Sequence, residues 1–204
     1  MKEKSFERKQ ELLEAALDVF SQKSYEDASL NSIIKKAGIS KGTFYYHFGD
    51  KQELYIFLLE SSSKAKWDFI NNKIHEYKER NAEIDIFDMF KLQARIGVEF
   101  AITFPKYYKL TKMMLKEKNN EIFEVAINTL GRDSGEILVN MIDKAVEDGI
   151  FKEEFPRDFI VKSVSYMFSH FNEIFNEEDD FDLNRTLQNL ELFVDFMKYG
   201  LKKQ

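Results

Sequence analysis

Residues 37–54 read AGISKGTFYYHFGDKQEL, a stretch that mixes aromatic and polar side chains. In an α-helix successive residues are turned by about 100°, so Phe44 and Phe48 share one face that can be buried. Gly42 and Tyr46 then point the opposite way. That outer surface is too aromatic for an ordinary exposed face and too polar for a core. We therefore expect a short helix whose outer face contacts another molecule.

The composition is that of a globular protein without a membrane partner. Of the 204 residues 44% are hydrophobic, and no run approaches the roughly 18 apolar residues of a membrane span. The first residues, MKEKSFERKQE, are charged throughout and lack the apolar core of a secretion signal. There is no cysteine, which excludes disulfides, thiolate metal sites and cysteine nucleophiles. We expect a cytoplasmic protein.

The net charge of −6 does not exclude a nucleic-acid partner, because phosphate binding depends on the charge at the contact surface. Residues 1–60 are near neutral, with nine Lys and Arg against ten Asp and Glu. Between positions 35 and 51 the chain has four lysines and a single acidic residue, Asp50. This segment is locally basic. The overall acidity predicts weak non-specific affinity for DNA.

Helical spacing is the one periodicity that the sequence contains. Ser29 can cap a second helix that Gly38 ends, because glycine adopts the left-handed conformation freely. Ser40 can cap the third helix, and Asp50 with Glu53 forms a capping box that starts the fourth. The sequence predicts an all-α fold of about nine helices, roughly at 6–22, 29–37, 40–48, 51–80, 84–104, 107–116, 120–148, 156–175 and 183–201. The seventh is one helix or two.

Two helices joined by a tight turn at Gly38-Ile39, the second short and polar outside, describe a helix-turn-helix. Residues 6–60 resemble the DNA-binding domain of the TetR family of bacterial transcriptional regulators. The stretch AGISKGTFYYHF at 37–48 is similar to that family's signature almost position by position. The chain departs from it at Ile34, where the family usually has a small residue. Beyond this region, only the length of the chain and its number of helices are similar to those of the family.

The residue types of the short helix suit DNA. Lys41 and the free amides at the helix N-terminus suit a phosphate or a guanine edge. Gly42 lets the backbone approach the bases, and Thr43 offers a hydroxyl and a methyl that is complementary to a thymine methyl. Tyrosine and histidine side chains can hydrogen-bond phosphates. The resemblance implies that the DNA contacts are made by Ser29, Ser40, Lys41, Gly42, Thr43, Tyr45, Tyr46, His47 and Lys51.

The resemblance also implies how the chain is divided. Residues 1–50 form the three-helix DNA-binding domain, which continues into a linking helix at 51–80. Residues 51–204 form a larger helical domain that binds an effector and dimerises. Fifteen of the 20 phenylalanines follow residue 60, and core packing accounts for most of them.

Polar and aromatic residues within apolar stretches are the candidates for effector contact. We expect a mostly apolar effector, aromatic or acyl-like, in a cavity lined by the fourth to eighth helices. Arg95 suits an anionic head group but can equally pair with Glu99, four residues on. Taken singly, each candidate has a structural or surface role as its alternative. The candidates are Trp67, Arg95, Tyr107, Tyr108, Asn140, Tyr166 and His170.

The last two predicted helices each have an apolar face that can serve a core or a homodimer. A dimer is expected because one short recognition helix reads few base pairs, whereas two related by a two-fold axis read a palindrome. The predicted interface residues are Phe168, Phe171, Phe175, Leu187, Leu190 and Val194.

The predicted function is a ligand-responsive transcriptional regulator, a repressor that binds a palindromic operator as a dimer and is released by a small effector. The alternatives are a helical carrier of apolar molecules and a DNA-binding protein that responds to no ligand. We expect no enzyme, no cofactor and no metal. A di-iron bundle needs Glu-x-x-His pairs, and the residues three before the three histidines are Phe44, Asn72 and Met167.

Overall fold

The computed structural model describes residues 2–80, 84–130, 133–175 and 182–203, which are helical nearly throughout. Within these ranges the one β-bridge joins Phe151 to Lys202, and no helix is both long enough and apolar enough to cross a membrane. The helices are α1 (Lys2–Phe20), α2 (Leu30–Lys36), α3 (Lys41–His47), α4 (Lys51–Arg80), α5 (Ile86–Thr103), α6 (Pro105–Lys116), α7 (Glu121–Leu130), α8 (Asp133–Glu147), α9 (Arg157–Ser169), α10 (Phe171–Phe175) and α11 (Leu183–Leu201).

The predicted all-α class with an N-terminal helix-turn-helix is confirmed, and two predicted helices are each divided. The segment 120–148 contains α7 and α8. The segment 156–175 contains α9 and α10, which meet at His170. The ring nitrogen Nδ1 of His170 lies 2.9 Å from the Tyr166 carbonyl oxygen, the same oxygen that its backbone N–H contacts. This crowding of one carbonyl accompanies the end of α9.

Side-chain caps set the boundaries of the DNA-binding helices. The Ser40 hydroxyl accepts from the Thr43 N–H at 3.1 Å and starts α3. At the start of α4, Asp50 Oδ1 accepts from the Glu53 N–H at 2.8 Å, while Glu53 Oε2 accepts from the Gly49 N–H. Gly38, between α2 and α3, has φ +66°, a conformation that other residues rarely adopt. The turn of the helix-turn-helix is therefore encoded locally.

Packing divides the helices into two compact units. The first consists of Met1–Phe69 and Phe100–Gly131, and the second of Ile70–Glu99 and Arg132–Gln204. The helices α6 and α7 thus pack with the DNA-binding helices. The division at residue 50 stays a prediction about function, because this grouping reports packing alone.

The core of the first unit holds α3 in place. Phe20, Phe44 and Tyr55 are almost completely buried, together with Leu110 of α6. The Phe20 and Tyr55 rings meet edge to face with centroids 4.8 Å apart. Burying a side chain of this size contributes about 1.5 to 3 kcal/mol. The DNA-binding helices therefore share one core with α6 and α7.

In the second unit a ladder of ion pairs joins α5 to α11. The ladder pairs are Asp85–Lys202 (2.7 Å), Asp88–Lys198 (3.1 Å), Lys91–Asp195 (2.5 Å) and Arg95–Glu191 (2.6 Å). Both helices change sign halfway along, so a single antiparallel register pairs all four. Burial alone would raise the pKa of Asp85, but the bonds from Lys202 and Lys198 hold that pKa well below its usual range. Such pairs contribute little stability singly, and their effect is to fix which face of α11 meets α5.

Candidate DNA-binding site

The two faces of α3 differ as the sequence spacing predicts. Phe44 and Phe48 are buried, with exposed fractions of 0% and 4%. Tyr45 and Tyr46 are exposed, at 60% and 76%, and Lys41 is exposed beside them. Two neighbouring aromatic side chains that are exposed to water form an apolar surface, and such surfaces often mark interaction sites. The outer face of α3 is therefore the first candidate for contact with a partner.

Gly42 is not required by the fold. A Cβ built at this position would have the Ser40 hydroxyl, 3.7 Å away, as its nearest neighbour, which is an ordinary contact. Glycine within a helix costs about 0.5 to 1 kcal/mol relative to alanine. Since the fold has room for a side chain, close approach by an outside molecule explains a glycine here.

The hydroxyl of Thr43 is held by the cap of its own helix. It lies 2.9 Å from the Ser40 hydroxyl. Ser29 has the matching role in α2, where its hydroxyl accepts from the Ser32 N–H. Both serines that the resemblance assigns to DNA are thus helix caps whose hydroxyls also stand at exposed helix N-termini.

His47 ends α3 with an unsatisfied ring nitrogen. Its Nε2 is buried and has no hydrogen-bond partner among the described residues. The ring lies edge-on to Tyr46, with centroids 4.9 Å apart. Buried polar atoms are nearly always paired, so the ring nitrogen of His47 is an exception among the described residues.

Lys51, predicted as a phosphate contact, is largely engaged within the protein. Its Nζ donates to the carbonyl oxygens of Tyr25 at 2.8 Å and Ala28 at 3.3 Å, and lies 4.1 Å from the centre of the Tyr25 ring. An ammonium has three N–H donors, of which these bonds use two. Lys51 therefore fixes the segment between α1 and α2, and its contact with a phosphate stays a prediction.

The predicted effector residues are spread over both units. The first unit contains Trp67 on α4 with Tyr107 and Tyr108 on α6, all half-buried. Burial raises the pKa of Tyr108 to about 12. The remaining four belong to the second unit, where two of them meet: the Tyr166 and His170 rings stack with centroids 3.9 Å apart. These residues stay predictions as effector contacts.

Two polar candidates lie at the surface of the second unit. Asn140 is exposed on α8. Arg95 is exposed and donates to Glu191 Oε1 at 2.6 Å. The alternative pairing with Glu99 is wrong, because Glu99 pairs with Lys73. The guanidinium of Arg95 is therefore committed to the ladder.

The second unit contains a cavity of about 290 Å³, open to the surface, whose lining residues the sequence did not identify as effector contacts. Its lining is apolar except for one amide, and none of the seven predicted effector residues contributes to it. The lining residues are Phe90, Gln93, Ala94, Leu138, Phe168 and Leu190. The available signal was a small and a polar residue, Ala94 and Gln93, on an otherwise apolar face of α5. Among the described residues, the Gln93 side-chain amide makes one weak contact, to the Met141 sulfur at 3.8 Å.

The predicted dimer face includes residues that the subunit itself buries. Phe171 and Val194 are core residues with exposed fractions of 4% and 0%, so they are corrected from interface to core. Phe168 and Leu190 line the cavity, while Phe175 and Leu187 are half-buried. The exposed apolar side chains of these helices are instead Phe159, Tyr166, Ile174, Leu192, Phe196 and Tyr199. Helices with apolar residues on both faces do not reveal from sequence which face is internal.

A capped recognition helix with a buried inner face and an exposed aromatic outer face defines a helix-turn-helix DNA-binding protein. Residues 12–56 match the family model of bacterial regulatory proteins, tetR family. Over these residues the chain is therefore similar to the DNA-binding domain of the TetR family.

Similar proteins agree with this assignment. IcaR of Staphylococcus aureus, the negative transcriptional regulator of the biofilm operon icaADBC, is 32% identical over 92 residues, which are 45% of this chain and 47% of IcaR. The match thus spans about half the length of this curated relative. Two solved structures share the fold over nearly the whole chain. A TetR family transcriptional regulator from Chloroflexus aurantiacus has a TM-score of 0.68 at 19% identity, covering 99% of this chain and 98% of that one. The fatty acid degradation regulator FadR from Bacillus halodurans has a TM-score of 0.66 at 19% identity, covering 91% and 93%.

The contacts of Lys41 and Lys51 predict different effects of the same substitution on the stability of the protein. Lys41→Met should leave the free energy of unfolding nearly unchanged and should reduce the salt dependence of DNA binding by about one unit, because an exposed phosphate contact is lost. Lys51→Met should lower the free energy of unfolding by about 1 to 3 kcal/mol, because two carbonyls lose a charged donor. Urea unfolding and binding titrations at several salt concentrations measure both. Equal stability of the two variants would contradict the structural role assigned to the hydrogen bonds of Lys51.

Proposed function

We propose that this protein is a transcriptional repressor that binds palindromic operator DNA as a homodimer in the cytoplasm and is released by a small apolar effector. The outer face of α3 is the observation that carries the proposal. Its exposed tyrosines and the exposed Lys41 offer hydrogen-bond and charge contacts on a helix held from behind by Phe44. IcaR, the similar S. aureus protein, is named a negative regulator, which favours repression over activation.

Contact with bases is supported by the glycine on this face. Gly42 is exposed in the first turn of α3, one residue after Lys41. The fold leaves this position open, as a Cβ there meets nothing closer than 3.7 Å. The backbone of α3 can therefore approach the edges of base pairs at the point where Lys41 and Thr43 present their polar groups.

Selection from random duplex DNA tests this proposal. The wild-type protein should enrich a palindrome whose half-sites are about one helical turn apart. Gly42→Ala should fold at least as stably, since alanine favours a helix by about 0.5 to 1 kcal/mol, yet bind the selected duplex at least tenfold more weakly because a methyl group obstructs the approach. Enrichment of no sequence would contradict the function. Unchanged affinity of Gly42→Ala would contradict the close approach.

The proposed dimer uses the exposed apolar face of α11 together with that of α9. Leu192, Phe196 and Tyr199 follow one another at helical spacing and are 67%, 72% and 83% exposed. The ladder to α5 occupies another side of α11 and so fixes this face outward. Exposed apolar surface of this kind marks an interaction site. A second copy is the occupant that a palindromic operator requires, because two-fold symmetric DNA is matched by a two-fold symmetric protein.

Charge placed on this face should separate the subunits without unfolding them. Phe196→Glu removes an exposed side chain, so the helical circular dichroism should be unchanged while light scattering changes from a dimer mass to the 24.2 kDa of one chain. Gln22→Glu, which adds the same charge at an exposed position outside α9 and α11, is the matched control and should remain dimeric. A wild type that is monomeric at micromolar concentration and still binds its operator tightly would contradict the proposal.

The cavity of the second unit is the proposed effector site. Five of its six lining residues are apolar, and the amide of Gln93 is the polar group among them. The nearby guanidinium of Arg95 already pairs with Glu191, which argues against an anionic head group. A neutral apolar molecule with one hydrogen-bonding group suits this lining. To reduce operator affinity tenfold it must favour the non-binding conformation by about 1.4 kcal/mol.

A cavity-filling substitution tests the effector site. The neutral fluorescent probe N-phenyl-1-naphthylamine should bind the wild type with increased emission, and Ala94→Phe should abolish that signal while operator binding is retained. Lys144→Ala, on the exposed side of α8, should bind the probe as the wild type does. Equal probe binding by Ala94→Phe would contradict the site. Probe binding by a protein that selects no DNA would favour the carrier alternative, and operator binding without any ligand response would favour a constitutive regulator.

A further inference from the structure

Glu117 is a buried carboxylate that the surface of α3 does not explain. It is the C-cap of α6 and is 5% exposed. Its Oε1 accepts from the Tyr25 backbone N–H at 2.7 Å, and its Oε2 accepts from the Asn120 side-chain amide. A charge is costly to bury unless it is well hydrogen-bonded. An apolar side chain would fill this internal position without the cost of burying a charge. What Glu117 provides and an apolar residue cannot is the hydrogen bond to the Tyr25 N–H.

The same peptide segment is held from its other side by Lys51. The Tyr25 carbonyl accepts from Lys51 Nζ at 2.8 Å, and the Ala28 carbonyl accepts from it at 3.3 Å. The Tyr25 N–H thus donates to a carboxylate at the end of α6, and the Tyr25 C=O accepts from a lysine ammonium at the start of α4. Its ring packs against Tyr55, with centroids 5.1 Å apart. The segment between α1 and α2 is fixed by side chains from two other helices.

The held segment leads directly into the proposed DNA surface. Ala28 is followed by Ser29, the exposed N-cap of α2. Lys51 begins the helix that follows α3. A shift of the Tyr25 peptide therefore changes the position of the α2 N-terminus and of the Lys51 ammonium together.

We propose that Glu117 is a positioning residue for DNA binding: through the Tyr25 N–H it fixes the segment between α1 and α2, so that the α2 N-terminus and Lys51 meet the phosphate backbone in register with α3. This role rests on the proposed function. Glu117 touches no DNA itself, and its residue number lies 92 positions from Tyr25. The hydrogen bond is directional, so acceptor position matters more than charge.

A pair of conservative substitutions separates hydrogen-bond geometry from charge. Glu117→Gln keeps a carbonyl oxygen at the same reach, and the Asn120 amide can turn to accept from the new NH₂ group. Glu117→Asp keeps the charge but is one methylene too short to reach Tyr25. Operator affinity at several salt concentrations, the midpoint of thermal unfolding and hydrogen exchange at the Tyr25 amide are measured for the intact wild type and both variants, at a temperature where all three are folded.

We expect Glu117→Gln to bind the selected operator within about threefold of the wild type and to protect the Tyr25 amide. Glu117→Asp should lose at least tenfold in affinity, its salt dependence should fall by about one unit because a phosphate contact is lost, and its Tyr25 amide should exchange at least tenfold faster.

A role confined to stability would lower the unfolding midpoint without changing the salt dependence of the folded protein, and that result would overturn the proposal. Equal affinity of the two variants, or weaker binding by Glu117→Gln, would also overturn it. Failure of the wild type to select any DNA would refute the proposed function itself, and the exchange rate of the Tyr25 amide would still show whether Glu117 holds the segment.

Discussion

Phe44 is completely buried, and because α3 is only seven residues long this one side chain largely sets how the helix is rotated about its axis. A helix of that length is not stable alone in water. Burial of Phe44 and Phe48, together with the Ser40 cap, stabilises this helix, which the helix propensity of its residues cannot do alone. With the inner face fixed, Gly42 and Tyr46 are directed outward, and the chemistry available to DNA follows from that rotation. The core behind Phe44 includes Leu110 and Met114 of α6, so the recognition helix depends on a part of the chain far from it in sequence.

Orientation is also the theme of the second unit. The α11 helix is apolar on two sides: Phe193, Val194 and Met197 are buried, while Leu192 and Phe196 are exposed. Hydrophobic burial alone does not choose between such faces. The ladder of ion pairs to α5 makes that choice, because oppositely charged residues of the two helices face each other in a single register. An exposed apolar face, kept outward by ion pairs, is the arrangement that the proposed homodimer needs.

The sequence predicted most accurately what is determined locally. The Ser40 cap, the turn at Gly38 and the capping box at Asp50 depend on residues at most four apart, and each is present as the pattern indicates. Contacts between distant residues carried no such signal. Nothing near Glu117 or Tyr25 indicates that they meet. For Arg95 the sequence offers an anionic effector or Glu99 as the partner, whereas the partner in the structure is Glu191. The interface prediction failed at Phe171 and Val194 because periodicity identifies an apolar stripe but not what covers it. Lys51 has a structural role that its position beside the recognition helix concealed.

Backbone amide chemical shifts of the ¹⁵N-labelled protein show directly whether the outer face of α3 meets DNA. On titration with the selected duplex, the largest shifts should occur at the amides of Lys41–His47, with a second group around Ser29 at the start of α2. The core amides of Ile142 and Val194 in the second unit should shift far less. DNA binding that leaves the amides of α3 unchanged, with the largest shifts on α9 or α11, would show that α3 is not the DNA-binding surface.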